Sequence, residues 1–201
     1  YYAGKKDVIK NVFESNFNES KNDYLYNWSL FFYTFTKKDS NLMINAANLM
    51  ANCPEKTYAS YYYFHENFKI EQALQQAKNK TEIANVYAYA SIQKVDKNLD
   101  YLKEIYKNNP KSEILGFLLL REINKIEDWV YTPYYSNYSP STEYKYWSDD
   151  TDKITTEILR NRSENDRLYA QEVLDFIQSI DFRSTQNPIV WEAAQINLQF
   201  I

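Results

Sequence analysis

Apolar residues recur at helical spacing along most of the chain, and no segment shows the strict alternation of a half-buried strand. Residues 5–17 place Val8, Ile9, Val12, Phe13 and Phe17 on one stripe. From 23 to 36 hardly any polar face is left, since Tyr24, Tyr26, Trp28, Phe31, Phe32, Tyr33 and Phe35 surround the axis. A helix of that kind is expected to be covered on several sides. Leu42, Ala46, Leu49 and Met50 form a cleaner stripe after an Asp39-Ser40 cap, and Cys53-Pro54 ends it. Another helix is expected to run to about residue 78, with a break near Asn67.

The middle of the chain is the most regular. Thr81 is the expected cap of a helix carrying Ile83, Val86, Tyr87, Ala90 and Ile92. Asp96 is the expected cap of a second helix with Leu99, Leu102, Ile105 and Tyr106, stopped by Asn108-Asn109-Pro110. Ser112 then opens a long helix through Leu115, Leu118, Leu119, Ile123, Ile126 and Val130. Residues 131–149, with two prolines, six tyrosines and Trp147, have no helical stripe and read as a long ordered loop. A short helix is expected over 151–160, and Ser163 with Asp166 suggests a capping box opening another. Asn187-Pro188 starts the last helix, with Ile189, Ala193, Ile196 and Phe200 in 4-3-4 spacing. The expectation is nine or ten helices. They fall into a stack over 1–130, a Tyr-rich loop and short helix over 131–163, and continuing repeats over 164–201, as part of a longer protein.

Composition narrows the function classes. Two glycines and five prolines in 201 residues are too few for a turn-rich sheet fold or a Gly-rich phosphate loop. A net charge of −4 lacks the basic excess that binding nucleic acid requires, and no apolar run is long enough for a transmembrane segment. The lysine-over-arginine bias, with abundant Asn and Tyr, fits an AT-rich genome, so part of the tyrosine content has a compositional origin.

Helix, short turn, helix, Asn-Pro stop, helix is the grammar of stacked antiparallel pairs. Counted back from Pro110, Tyr89, Leu102 and Ile105 fall in register with a tetratricopeptide repeat, and Tyr33, Ala46 and Leu49 do so from Pro54. The chain thus resembles a degenerate tetratricopeptide-like α-solenoid, with Val86 and Leu30 at the first-helix positions where that family has small residues. Arg121 to Trp129 is also similar to uncharacterised helical-repeat proteins of Bacteroidota. The resemblance implies an all-α fold whose groove holds a peptide or a protein partner. It also implies a bacterial periplasmic or outer-membrane-associated setting.

The candidate chemistry is sparse. Rings in a non-helical segment cannot all serve a helix stripe, so Trp129, Tyr131, Tyr134, Tyr135, Tyr138 and Trp147 are the candidate contacts for a peptide, or for a glycan stacked on aromatic faces. The alternative for the same rings is packing onto their own helices. Arg121, Glu122, Lys125, Glu127 and Asp128 share one helix and are expected to form a solvated or interhelical ion-pair network. Asp149, Asp150 and Asp152 fail the EF-hand pattern, because Ile154 and Thr155 stand at its fifth and sixth positions. One histidine, His65, and one cysteine, Cys53, give neither a usual zinc site nor a nucleophile signature. No cofactor, metal or catalytic residue is therefore expected, and the leading function is a non-catalytic protein-binding or peptide-binding scaffold. A glycan-binding envelope module is the alternative.

Overall fold

Prolines and the asparagines beside them set many of the helix ends in the computed structural model, which describes residues 4–16, 24–37, 42–64, 68–132 and 155–201. These residues form ten α-helices and two 3-10 turns, with no strand among them. The Asp39-Ser40 cap, His65, the Tyr-rich segment from Pro133 onward and the Asp149 cluster lie outside the described residues. The chain divides into two compact units, residues 1–93 and 94–201.

The first unit contains α1 (Lys6–Asn16), α2 (Tyr24–Lys37), α3 (Leu42–Asn52), a 3-10 turn at Pro54–Lys56, α4 (Thr57–Phe64), α5 (Ile70–Gln76) and α6 (Lys80–Gln93). Helix α3 is its centre and packs against α2, α4, α5 and α6. Its Ala46 and Ala47, with Ala84 and Ala88 of α6, are fully buried. Such small side chains let two helix backbones approach closely. Polar ties cross the same region. Asn85 donates to Asn48 at 3.0 Å, and the Tyr89 hydroxyl donates to the Ser60 carbonyl at 2.8 Å. Phe13 stacks on Tyr33 at 4.3 Å between α1 and α2, whereas Val8 and Val12 of the same expected stripe stay exposed.

The second unit contains α7 (Leu99–Asn108), α8 (Glu113–Tyr131), α9 (Thr156–Gln178), a 3-10 turn at Phe182–Ser184 and α10 (Pro188–Leu198). Leu102, Ile105, Leu115, Leu118, Ile126, Val173 and Ile177 make its core. Trp191 is buried in a ring cluster with Tyr106, Phe176 and Phe182, at centroid distances of 6.1–6.4 Å. Helices α8, α9 and α10 each pack on the other two. Asn109 closes α7 by donating to the Ile105 carbonyl at 2.8 Å, and Pro188 occupies the first turn of α10.

Three expected helix starts are corrected. Asn79 caps α6 instead of Thr81, accepting from the Glu82 amide at 2.9 Å, while Glu82 reaches back to the Lys78 amide at 2.6 Å. Helix α7 begins after Asn98, not at Asp96. The expected short helix and Ser163 cap are one continuous 23-residue α9, whose cap is Thr155. No glycine or proline interrupts that stretch, and Ser163 Oγ accepts from Arg167 one turn on at 2.7 Å.

Candidate functional site

Two of the six candidate contacts fall within the described residues, and the helix separates them. Trp129 and Tyr131 are two positions apart on α8, so their side chains diverge by about 200°. Trp129 is 7 % exposed and packs against Tyr169 at 6.3 Å, with Lys125 Nζ 5.6 Å from its ring centre. Tyr131 is 61 % exposed. Tyr134, Tyr135, Tyr138 and Trp147 lie outside the described residues.

The charged residues of α8 do more than the sequence indicates. Glu122 is 0 % exposed and joins three elements. The Tyr169 hydroxyl, from α9, donates to Glu122 Oε1 and accepts from the amides of Asn98 and Leu99 at 2.9 and 3.0 Å. The Asn98 amide also donates to Oε1 at 3.0 Å. Lys125 Nζ faces Oε2 at 2.5 Å and donates to the Asp96 carbonyl at 2.6 Å, and Arg121 donates to the Lys94 carbonyl at 3.1 Å. The Asn98 amide at the start of α7, the Tyr169 hydroxyl and a lysine thus surround one buried carboxylate, where dipole and charge both favour an anion. Burial pushes the Tyr169 phenol above its ordinary range, and the Glu122 charge adds to this. Burial lowers the Lys125 ammonium, against the pull of Glu122. These groups serve one another, which makes the cluster a clamp on the 94–98 segment.

A surface on α8 and α10 faces outward instead. Helix α10 is apolar on two opposite sides. Trp191, Ala194 and Leu198 are buried, while Ile189 in its first turn and Phe200 two residues past its end are 77 % and 81 % exposed, and Ile196 between them is 57 % exposed. Ala193 is exposed on the same row. Alongside runs α8, in the same direction. A Cβ at Gly116 would lie 3.7 Å from Val190 Cγ1, and Asn197 donates to Glu127 at 2.6 Å eleven residues further along α8. Phe117 and Leu120 of α8 are exposed beside this seam. The 4-3-4 row was legible in the sequence, but its direction was not. The signal that reveals it is the second row, Trp191-Ala194-Leu198, whose larger ring takes the core side.

The first unit exposes a smaller aromatic feature. Tyr58 and Tyr62, one turn apart on α4, are both exposed, with ring planes 22° from parallel and centroids 6.4 Å apart. Among the described residues no group of three or more His, Cys, Asp or Glu is placed to hold a metal ion. Among them, too, no helix is long and apolar enough to cross a membrane. The chain matches no protein family, no curated protein and no solved structure.

Proposed function

We propose that the chain is a non-catalytic helical scaffold, built on stacked antiparallel pairs, that binds a protein or peptide partner. The observation that carries this reading is the two-sided apolarity of α10. A helix with apolar rows on opposite sides is normally covered on both. Here the outer row, Ile189, Ala193, Ile196 and Phe200, continues onto Phe117 and Leu120 of α8. Scattered exposed apolar residues need no explanation, but contiguous rows on adjoining helices mark interaction surfaces. The test is affinity isolation from native cells with the wild-type chain and with an Ile196→Glu/Phe200→Glu variant of unchanged helicity. Proteins recovered with the wild type and lost from the variant support the reading. An identical set from both overturns it.

A second reading, glycan binding, is favoured by the Tyr58/Tyr62 pair. Near-parallel exposed rings offer the flat apolar faces on which sugars stack. Its test is titration with oligosaccharides followed by tyrosine fluorescence, in the wild type and in Tyr58→Ala/Tyr62→Ala. Equal responses from the two proteins, or none from either, exclude it.

A further inference from the structure

We infer that the partner of the α8/α10 surface is a basic amphipathic helix, an inference that rests on the scaffold reading above. The argument is one of shape and of charge. Two parallel helices in side-by-side contact leave a shallow trough between their outward rows. An amphipathic helix fits such a trough through apolar residues spaced by three and four. The outward positions of α8 are Glu113, Phe117, Leu120, Asn124, Asp128 and Tyr131, and those of α10 include Ile189, Glu192, Ala193 and Ile196. Three carboxylates therefore border the apolar rows, and neither helix presents an exposed lysine or arginine there. Glu113 stands one turn before Phe117, and Asp128 lies two turns beyond Leu120. Glu192 sits one turn from both Ile189 and Ile196. The exposed cations of the turns that precede them, Lys111 and Arg183, are on neither helix.

This charge pattern decides between occupants. A second copy docking through the same face would bring three carboxylates of each protomer against three of the other, and such like-charge juxtaposition disfavours association. An acidic or neutral helix gains nothing from the border. A helix with leucine or isoleucine on one side and lysine or arginine along the margins satisfies both the rows and the carboxylates. The apolar contact sets how long it stays, and the charges set how fast it arrives and in which orientation.

The experiment uses the full chain and three fluorescent peptides, read by anisotropy. One is a lysine-bordered amphipathic helix, the second replaces each lysine with glutamate, and the third has the lysine peptide's composition in scrambled order. The expected result is binding of the ordered basic peptide roughly tenfold or more tighter than either of the others, weakening as salt rises. A Glu113→Lys/Asp128→Lys/Glu192→Lys variant should invert the preference toward the acidic peptide, and Ile196→Ser/Phe200→Ser should abolish both. Equal binding of basic and acidic ordered peptides overturns the charge inference and leaves the scaffold reading standing. Equal binding of ordered and scrambled basic peptides overturns the helix. If no peptide binds and the chain dimerises with concentration, losing this on Ile196→Ser/Phe200→Ser, a second copy is the occupant and the inference fails. If no peptide binds and the chain stays monomeric, the inference fails, and the isolation experiment alone judges the scaffold.

Discussion

The Tyr169 hydroxyl donates to Glu122 while accepting the amides of Asn98 and Leu99, so one phenolic oxygen links α9, α8 and the start of α7. Removing it strands one buried amide. Tyr169→Phe leaves the Leu99 amide without this acceptor, while Glu122 loses one donor and keeps the Asn98 amide and Lys125, and an unmet buried polar group costs about 1–3 kcal/mol. The expected outcome is a lower urea midpoint with an unchanged slope. Tyr131→Phe, at an exposed hydroxyl, should be neutral.

The Glu122–Lys125 pair should behave as a strongly coupled unit. Glu122→Ala leaves a mostly buried ammonium without its paired carboxylate, and breaking such a pair from one side costs about 3–5 kcal/mol. The double variant Glu122→Leu/Lys125→Met removes both charges and should be less destabilised than Glu122→Ala alone. A double-mutant cycle in urea measures the difference, and additive single effects would disprove the coupling.

Helix ends were legible where their cause is local. Cys53-Pro54, Asn108-Asn109-Pro110 and Asn187-Pro188 all terminate or start helices as their chemistry requires. Caps were less legible, because in Asn79-Lys80-Thr81-Glu82 two residues can cap and only the bonds of Glu82, its amide to Asn79 and its carboxylate to the Lys78 amide, select Asn79. The fate of Glu122 was not legible at all. Its partners Asn98 and Tyr169 lie 24 and 47 positions away, and no spacing on α8 announces them. For α10 the pattern showed an apolar row, but the side it faces depends on where Trp191 finds its ring neighbours.

Alkaline pH should destabilise both units. Burial raises the phenols of Tyr89 and Tyr169 above their ordinary value of 10.0. A group that holds its proton longer when folded stabilises fully below its unfolded pKa and loses that contribution as pH rises beyond it. Lys56 and Lys125, lowered by burial, act in the opposite direction, but their contribution stops growing once pH passes the ordinary lysine value of 10.5. Urea midpoints should therefore fall above that value. Phenolate absorbance should show Tyr89 and Tyr169 ionising together with unfolding, a step that Tyr89→Phe and Tyr169→Phe each reduce.

Cys53 should be a slow thiol. It is buried at the end of α3 and donates to Glu55 at 3.2 Å, and burial first, then Glu55, pushes its pKa to about 11. Since the thiolate is the nucleophile, labelling by an aromatic disulfide near neutral pH should run on the order of 100-fold slower in the native chain than in denaturant. Glu55→Gln should narrow that gap.

Gly116 offers a stabilising change. It lies inside α8 without a positive φ, and an added Cβ would meet Val190 at 3.7 Å, an ordinary van der Waals contact. Gly116→Ala should raise stability by about 0.5–1 kcal/mol through helix propensity. Calorimetry should show a gain of roughly 1–4 °C for a chain of this length.

The clamp around Glu122 also constrains how this chain can diverge. A lineage that replaces Glu122 by an aliphatic residue inherits an ammonium at 125 stripped of its carboxylate and a phenol at 169 stripped of its acceptor. Drift through one site at a time crosses an unfit intermediate, so the three positions are expected to be inherited as a set or exchanged together.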